Sequence, residues 1–354
     1  MIFGLNDSIG LAYHQQLSDQ YLKMGLKELL QIDGHTLKDN KEHFGFRDGI
    51  SQPIPIGSGI EGPAKDMLQP GEFILGYKNE YHVFPQSPLI EIEEGDINIL
   101  QPDPAGSGKK DLGKNGTYLV LRQLDQNVHS FWEFMNEKSK NEDGSLNEAE
   151  SIKLASKMMG RWPNGAPITK YPDKDPGNIG SVNDFGYATS DADGSKCPFG
   201  AHIRRTNPRD SFEDSNEKIS LKLSNRHRII RRARLYGEPI IGSPVDHSPK
   251  GVVGLLFNCF NADISRQFEF IQYTWANLKK TKELYNDPDP IIGVKESPAE
   301  NELQNFTIQG HPVNQTVSGL QRFVTVRGGA YLFFPSITAP VSYTHLTLPT
   351  IYSV

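Results

Sequence analysis

The stretch Gly251-Val-Val-Gly-Leu-Leu-Phe-Asn-Cys-Phe-Asn-Ala-Asp-Ile-Ser-Arg-Gln-Phe-Glu-Phe-Ile-Gln-Tyr-Thr-Trp-Ala-Asn-Leu-Lys-Lys280 sets the fold class. Its opening, Gly251–Phe260, is almost continuously apolar, the pattern of a strand covered on both faces. From Asp263 to Lys280 the period changes. Ile264, Phe268, Ile271, Trp275 and Leu278 recur at helical spacing and form one apolar stripe, which reads as a helix facing the core. Working outward, Thr117–Leu124 alternates: Tyr118, Val120, Arg122 and Leu124 fall on one face, Thr117, Leu119, Leu121 and Gln123 on the other. Glu72–Tyr77 and Arg322–Pro335 also read as strands. Helices are expected at Asn127–Glu137 and near Ala149–Met159. Lys138–Phe199 is otherwise rich in Asp, Asn, Gly, Ser and Lys and reads as a long covering loop; Pro288–Asn305 reads as a second surface insertion. Strands interleaved with helices, without regular βα alternation or an internal repeat, argue for an α+β fold.

The length of 354 residues allows one large domain or two of ordinary size. With 36% hydrophobic and 23% charged residues the chain reads as soluble and globular, and its 33 Gly and 24 Pro point to many turns. A net charge of −6 gives no reason to expect nucleic acid or an anionic membrane as partner. Arginines cluster locally, at Arg204-Arg205 and from Arg226 to Arg234; such clusters read either as a pocket for a small anion or as solvated charged loops. The two cysteines, Cys197 and Cys259, lack a Cys-x-x-Cys partner, which argues against a metal knuckle and leaves two buried thiols or one disulfide. Met1–Gly10 has neither a basic segment nor a long apolar run, and nowhere are there ~18 consecutive apolar residues. The expectation is a cytoplasmic protein without a signal peptide or membrane span. Ile337–Val354 contains no Asp, Glu, Lys or Arg, and residues 341–354 read as a non-native tail, set aside from the fold.

Three segments carry chemistry. In His43-Phe44-Gly45-Phe46-Arg47-Asp48-Gly49-Ile50-Ser51-Gln52-Pro53 an acid sits on a loop between two glycines, which permit positive φ or close backbone approach. In Cys197-Pro198-Phe199-Gly200-Ala201-His202-Ile203-Arg204-Arg205-Thr206-Asn207-Pro208-Arg209 a lone histidine precedes three arginines. A neutral imidazole is a good axial ligand for haem iron, and guanidinium groups pair well with propionates. In Arg228-Ile229-Ile230-Arg231-Arg232-Ala233-Arg234-Leu235-Tyr236-Gly237 a half-buried arginine is suited to stabilise charge on a bound oxygen anion. Each has a commonplace reading when taken alone: an Asp-Gly turn, a histidine beside a basic turn, a basic edge strand.

Taken together and in this order, the three resemble the dye-decolorizing peroxidase family. Gly45–Gly49 matches its Gly-x-x-Asp-Gly signature, His202 stands at the proximal-histidine position, and Arg231 at the distal-arginine position. Gly71–Tyr77, Asn115–Leu124, Gly160–Pro167, Gly251–Trp275 and Phe306–Pro335 agree, so the resemblance covers most of Leu30–Ser336. It implies two ferredoxin-like halves with antiparallel sheets and peripheral helices, haem lying in the second. Residues 1–137 would form the first half, 138–199 a loop insertion and 200–336 the haem-binding half. The family usually carries a substantial segment before its signature, whereas 44 residues precede Gly45 here, so the first half is expected to be incomplete at its start.

The resemblance further implies one haem b per chain, held by His202, with Asp48 as general acid–base and Arg231 as charge stabiliser in the reduction of hydrogen peroxide. An aromatic reductant, a dye or phenol, would then be oxidised by single electrons. A carboxylate of ordinary pKa near 4 sets the expected activity maximum at about pH 3–5. Gly45, Phe46, Gly49, Arg204 and Arg209 are the expected contacts to the cofactor. Glu269, or else Asp263, is the expected acid on the second ring nitrogen of His202. Tyr236, Tyr273 and Trp275 are candidate electron relays, each equally explained by core packing. The family often forms oligomers, so a homo-oligomer is expected. The competing reading is a protein that handles haem or its iron without peroxidase turnover; it needs His202 but neither Asp48 nor Arg231.

Overall fold

In this computed structural model the described residues are 7–91, 99–212, 216–238, 251–282, 284–293 and 304–341. They fall into two units, residues 1–34 and residues 35–354. The first is built around α1 (Asp7–Lys23), a helix absent from the expectations above. There His14 Nε2 meets Glu28 Oε2 at 3.0 Å, so the chain turns back after the helix.

The second unit contains, in chain order, β1 (Thr117–Gln126), α2 (Val128–Lys138), α3 (Glu148–Met159), α4 (His202–Thr206), α5 (Glu217–Asn225), β2 (Ile230–Arg231), β3 (Arg234–Tyr236) and β4 (Gly254–Asn261). A helix over 265–276, α6, follows, then β5 (Gln304–Ile308), β6 (Gln315–Leu320) and β7 (Val324–Phe334). The main sheet is antiparallel, in the order β7-β1-β4-β2, with β3 also on β4. Val120 lies opposite Cys259, which in turn lies opposite Arg231, so the central strands fix the position of the expected distal arginine. A bulge between Val326 and Gly328 bends β7. β5 and β6 form a separate hairpin. This is the α+β arrangement of antiparallel sheets and peripheral helices.

Boundaries follow local chemistry. Asn127 caps α2 by accepting from Ser130 N, and Asn147 caps α3 by accepting from Glu150 N. α3 ends at Gly160, whose φ of 90° closes the helix in the left-handed region. The helix expected over Asp263–Lys280 is shorter and wider: Glu269 N donates to Ile264 O and Asn277 N to Gln272 O, the i→i+5 bonds of a π-helix. Of its stripe, Phe268, Ile271 and Trp275 are buried, while Leu278 lies beyond the helix and is exposed. Glu72–Tyr77 is a correction. Pro70–Glu72 forms a 3-10 turn and Gly76, at φ 82°, breaks the extension a strand requires. Of the expected insertion Pro288–Asn305, residues 294–303 lie outside the described residues, as do residues 342–354 of the expected tail.

The largest core cluster joins Phe44 and Phe46 of the Asp48 loop to Phe131, Trp132 and Met135 of α2 and to Met158 of α3. Full burial of side chains this size stabilises the fold by about 1.5–3 kcal/mol each, which fastens the loop at its base. Cys197 and Cys259 are both free and buried, so no disulfide joins them. Among the described residues no helix is long and apolar enough to cross a membrane.

Candidate active site

His202 opens the five-residue helix α4. Its Nδ1 lies 2.9 Å from Oδ2 of Asp289, a carboxylate with no exposed surface. The other carboxylate oxygen accepts the backbone N–H groups of Ile291 and Ile292 at 2.8 and 2.9 Å. Burial raises the proton affinity of Asp289, but His202 and these N–H donors outweigh it and hold the carboxyl below its usual range. Burial likewise lowers that of His202, and Asp289 reverses this to a net rise. With Nδ1 engaged by Asp289, Nε2 is the ring nitrogen available to a ligand. The acid on His202 is therefore Asp289, a correction to the expected Glu269 or Asp263. Glu269 accepts from Ser265 and Tyr331, and Asp263 accepts from Arg266 N and pairs with its side chain. The signal for Asp289 was Asp287-Pro288-Asp289-Pro290-Ile291-Ile292-Gly293: an Asp between prolines, ahead of two free N–H groups, is built to turn and cap.

The structure brings Asp48 and Arg231 together, with Arg231 Nη1 2.8 Å from Asp48 Oδ1 and both side chains about one-third exposed. Gly49 N also donates to Asp48, at 2.6 Å. Burial pushes the Asp48 carboxyl up, while Arg231 and Gly49 pull it down, and the net effect is below the ordinary carboxylate range. Gly45 and Gly49 adopt φ of 96° and 79°, which a side chain would strain. Gln52, not singled out from sequence, joins the two segments. Its side chain donates to Arg231 O at 3.2 Å and accepts from Arg231 N at 3.1 Å. Asn207, at the end of α4, brings Nδ2 to 3.5 Å from Ser51 Oγ of the Asp48 loop, so these segments meet, and Arg231 lowers while Asp48 raises the proton affinity of His202.

The other expected contacts divide. Phe46 is 5% exposed and stacks on Trp132, so its ring belongs to the core, a correction to the cofactor role. Arg204 is a second correction: it is buried and spends its donors on the Asp191 carboxylate and the carbonyls of Cys197 and Asp191. Arg205 binds the carbonyls of Trp275, Leu278 and Asp287, tying α4 to the end of α6 and to the turn carrying Asp289. Arg209 adopts a left-handed φ of 55°, stacks on Phe185 at 3.8 Å and donates to Asn183 and Phe185. It lines a cavity of about 170 Å³ shared with Lys65 and Arg228. Of the relay candidates, Tyr236 and Trp275 are buried and Tyr273 is exposed.

No family model matches the chain. Curated sequences do. The chain is 33% identical to a multifunctional dye peroxidase of Amycolatopsis sp. over 84% of this chain and 60% of that protein. It is 32% identical to a dye-decolorizing peroxidase of Mycena epipterygia over 85% and 57%, and 30% identical to peroxidase 2 of Mycetinis scorodonius over 90% and 60%. It thus spans about six tenths of the length of these relatives. In fold it resembles an ancestral D-type dye-decolorizing peroxidase, with a TM-score of 0.72 and 28% identity over 94% of this chain and 70% of that one. It also resembles the dye-decolorizing-type peroxidase of Anabaena sp., at 0.66 and 27% over 94% and 65%. A third likeness is to a dye-decolorizing peroxidase whose heme pocket was engineered for asymmetric sulfoxidation, at 0.73 and 25% over 94% and 72%. The resemblance read from the three motifs is shown in both sequence and fold.

Proposed function

We propose that this chain is a haem-dependent peroxidase of the dye-decolorizing type, which reduces hydrogen peroxide and oxidises dyes or phenolic compounds one electron at a time. The observation that carries this reading is the convergence of the His202–Asp289 pair and the Asp48–Arg231 pair on one region. The residues fit haem. An imidazole fixed through Nδ1 by a buried carboxylate offers Nε2 to iron, the arrangement that sets ring orientation and basicity in metal sites. One haem b per chain would be held by His202, with Gly45 and Gly49 permitting close backbone approach and Arg209 near a propionate. The division into residues 1–137 and 200–336, with 138–199 inserted between them, would be one of sequence segments that share a sheet, since β1 lies between β4 and β7.

Haem, when bound, supplies the redox chemistry, taking two oxidising equivalents from peroxide and passing them singly to a reductant. The chain supplies proton handling and charge. Asp48 accepts a proton from one peroxide oxygen and returns it to the departing one. Arg231 stabilises the negative charge that grows as the O–O bond breaks. Because Arg231 holds Asp48 below the ordinary carboxylate range, Asp48 remains a base in acid, consistent with a maximum at about pH 3–5. The haem-handling alternative needs His202 only and leaves the Asp48–Arg231 pair without a purpose.

The test is an absorption spectrum of the chain with hemin, before and after hydrogen peroxide, with dye turnover alongside. The expected results are a Soret band lost in His202→Ala and, in Asp48→Asn, a Soret band kept but peroxide consumption slowed roughly a hundredfold or more. Haem uptake with no response to peroxide would favour haem handling. No uptake by folded protein would remove the peroxidase reading.

A further inference from the structure

A carboxylate beside the Asp48 loop has no part in the chemistry above. Glu42 Oε2 accepts Phe44 N at 2.9 Å, and Oε1 accepts Phe46 N at 2.8 Å. Its own N–H donates to Phe46 O at 2.9 Å and its carbonyl accepts from Gly45 N at 2.8 Å, closing a turn over 42–46. From β1, Gln126 Nε2 reaches Oε2 at 2.6 Å. Asp48 leaves this turn two residues after Phe46, and its N–H is fixed on Asn40 O. One side chain therefore collects the Phe44 and Phe46 N–H groups of the turn presenting Asp48.

Resting on the functional reading above, we infer that Glu42 is the positioning residue for Asp48, its carboxylate clamping the 42–46 turn so that Asp48 stands against Arg231. The clamp is also sensitive to protons. Burial pushes Glu42 up to about 7, against the pull of its N–H donors and Gln126, and the charge of Asp48 adds to the rise. The buried Oε1 of Gln126 has no partner among the described residues. Turned over, that amide accepts the proton of a neutral Glu42, so the turn is held in either state. Other groups around Glu42 are accounted for. His43 is turned to Tyr236 O, and burial lowers it to about 4, so it is neutral near pH 7. Trp132 of α2 donates to Phe44 O. Arg231 of β2 is held by Asp48. Above pH ~7 Glu42 therefore brings a second negative charge beside Asp48, which opposes the anion that Arg231 must stabilise.

Three measurements on the full chain test this. In haem-free protein, amide exchange at Phe44 and Phe46 is expected to be at least tenfold faster in Glu42→Ala while the α2 amides keep their protection. Unchanged exchange at Phe44 and Phe46 would overturn the clamp. The ¹³C carboxyl signal of Glu42 is expected to titrate near pH 7 and to move to lower pH in Asp48→Asn; no movement would overturn the link to Asp48. In haem-loaded protein, Glu42→Gln is expected to keep the Soret band and the reductant KM. It should also keep the wild-type peroxide rate in acid, where Glu42 is neutral, and abolish the fall in rate above pH 7. Glu42→Ala, which removes the clamp, should slow the peroxide step roughly tenfold to a hundredfold, the effect of a misplaced catalytic group. A wild-type rate in Glu42→Ala, or a wild-type pH profile in Glu42→Gln, would reduce Glu42 to a structural residue. Failure of wild-type protein to bind haem would count against the functional reading alone, because the first two measurements need no haem.

Discussion

Asp289 lies between Pro288 and Pro290 with no exposed surface, two backbone N–H groups on one oxygen and the His202 ring on the other. Asn at this position keeps an oxygen for Ile291 and Ile292 but loses the charge that fixes the imidazole. Asp289→Asn is therefore expected to fold and to bind hemin 10–100-fold more weakly, the usual cost of losing the partner behind a metal-ligating histidine. Hemin titration of the haem-free chain checks this, with Glu269→Gln and Asp263→Asn expected to match wild type. Equal weakening in all three would take Asp289 out of its role. The contrast shows what was legible at this scale. Asp48, His202 and Arg231 stand in local motifs, each commonplace alone, whose order along the chain carries the resemblance. Asp289 is 87 residues from its partner, and no local pattern connects them. Phe46 and Arg204 misled because proximity in sequence to a functional residue does not say which way a side chain turns. Phe46 turns to Trp132 and Arg204 to Asp191.

At the scale of elements, α3 and α4 meet where the first ends and the second begins. Gly160 closes α3 at φ 90°, and a Cβ there would lie 2.5 Å from Ile203 Cγ1 and 3.3 Å from Cys197 Sγ. Gly160→Ala is expected to cost about 1–2 kcal/mol from the left-handed backbone alone, more if Ile203 cannot give way. Because Ile203 adjoins His202, a broadened or shifted Soret band is expected with the loss of stability. Urea unfolding and the haem spectrum, measured on the same sample, check both; wild-type behaviour in each would show that the junction tolerates a methyl group. The strands β1, β4 and β7 and the helices α2 and α3 were legible because their apolar periods are regular and Asn caps mark the helix starts. The wide turns of α6 were not, because a π-helix keeps an apolar stripe that an ordinary helix also explains. Glu72–Tyr77 failed for a different reason: the left-handed Gly76 outweighed the β-propensity around it.

For the molecule as a whole, its titrating groups set a stability profile. Asp48 is lowered on folding, so the stability it contributes is present above its unfolded pKa near 4 and is lost as pH falls through the folded value. Glu42 is raised to about 7, so its contribution is full below its unfolded pKa and is lost as pH rises towards 7. Glu72, raised by burial against the pull of Arg266, acts in the same sense as Glu42. Thermal midpoints are expected to peak at about pH 4–5, where these windows overlap, and to decline towards pH 8, with a smaller decline in Glu42→Gln. Calorimetry across pH 3–8 checks this; a midpoint rising steadily to pH 8 would show that other groups dominate. The sheet carries a further consequence, one of time. β1 pairs with β4 and with β7, and Gln126 lies opposite Val324, 198 residues further on. At a ribosomal rate of about 5–20 residues per second, that interval lasts roughly 10–40 s. For the part of it before β4 is made, 129 residues after Asp125, the central strand has neither neighbour and both edges are open to pairing with another chain, and the edge that takes β7 stays open to the end. Yield during expression should therefore depend on synthesis rate and on holding chaperones more than on the stability of the finished fold.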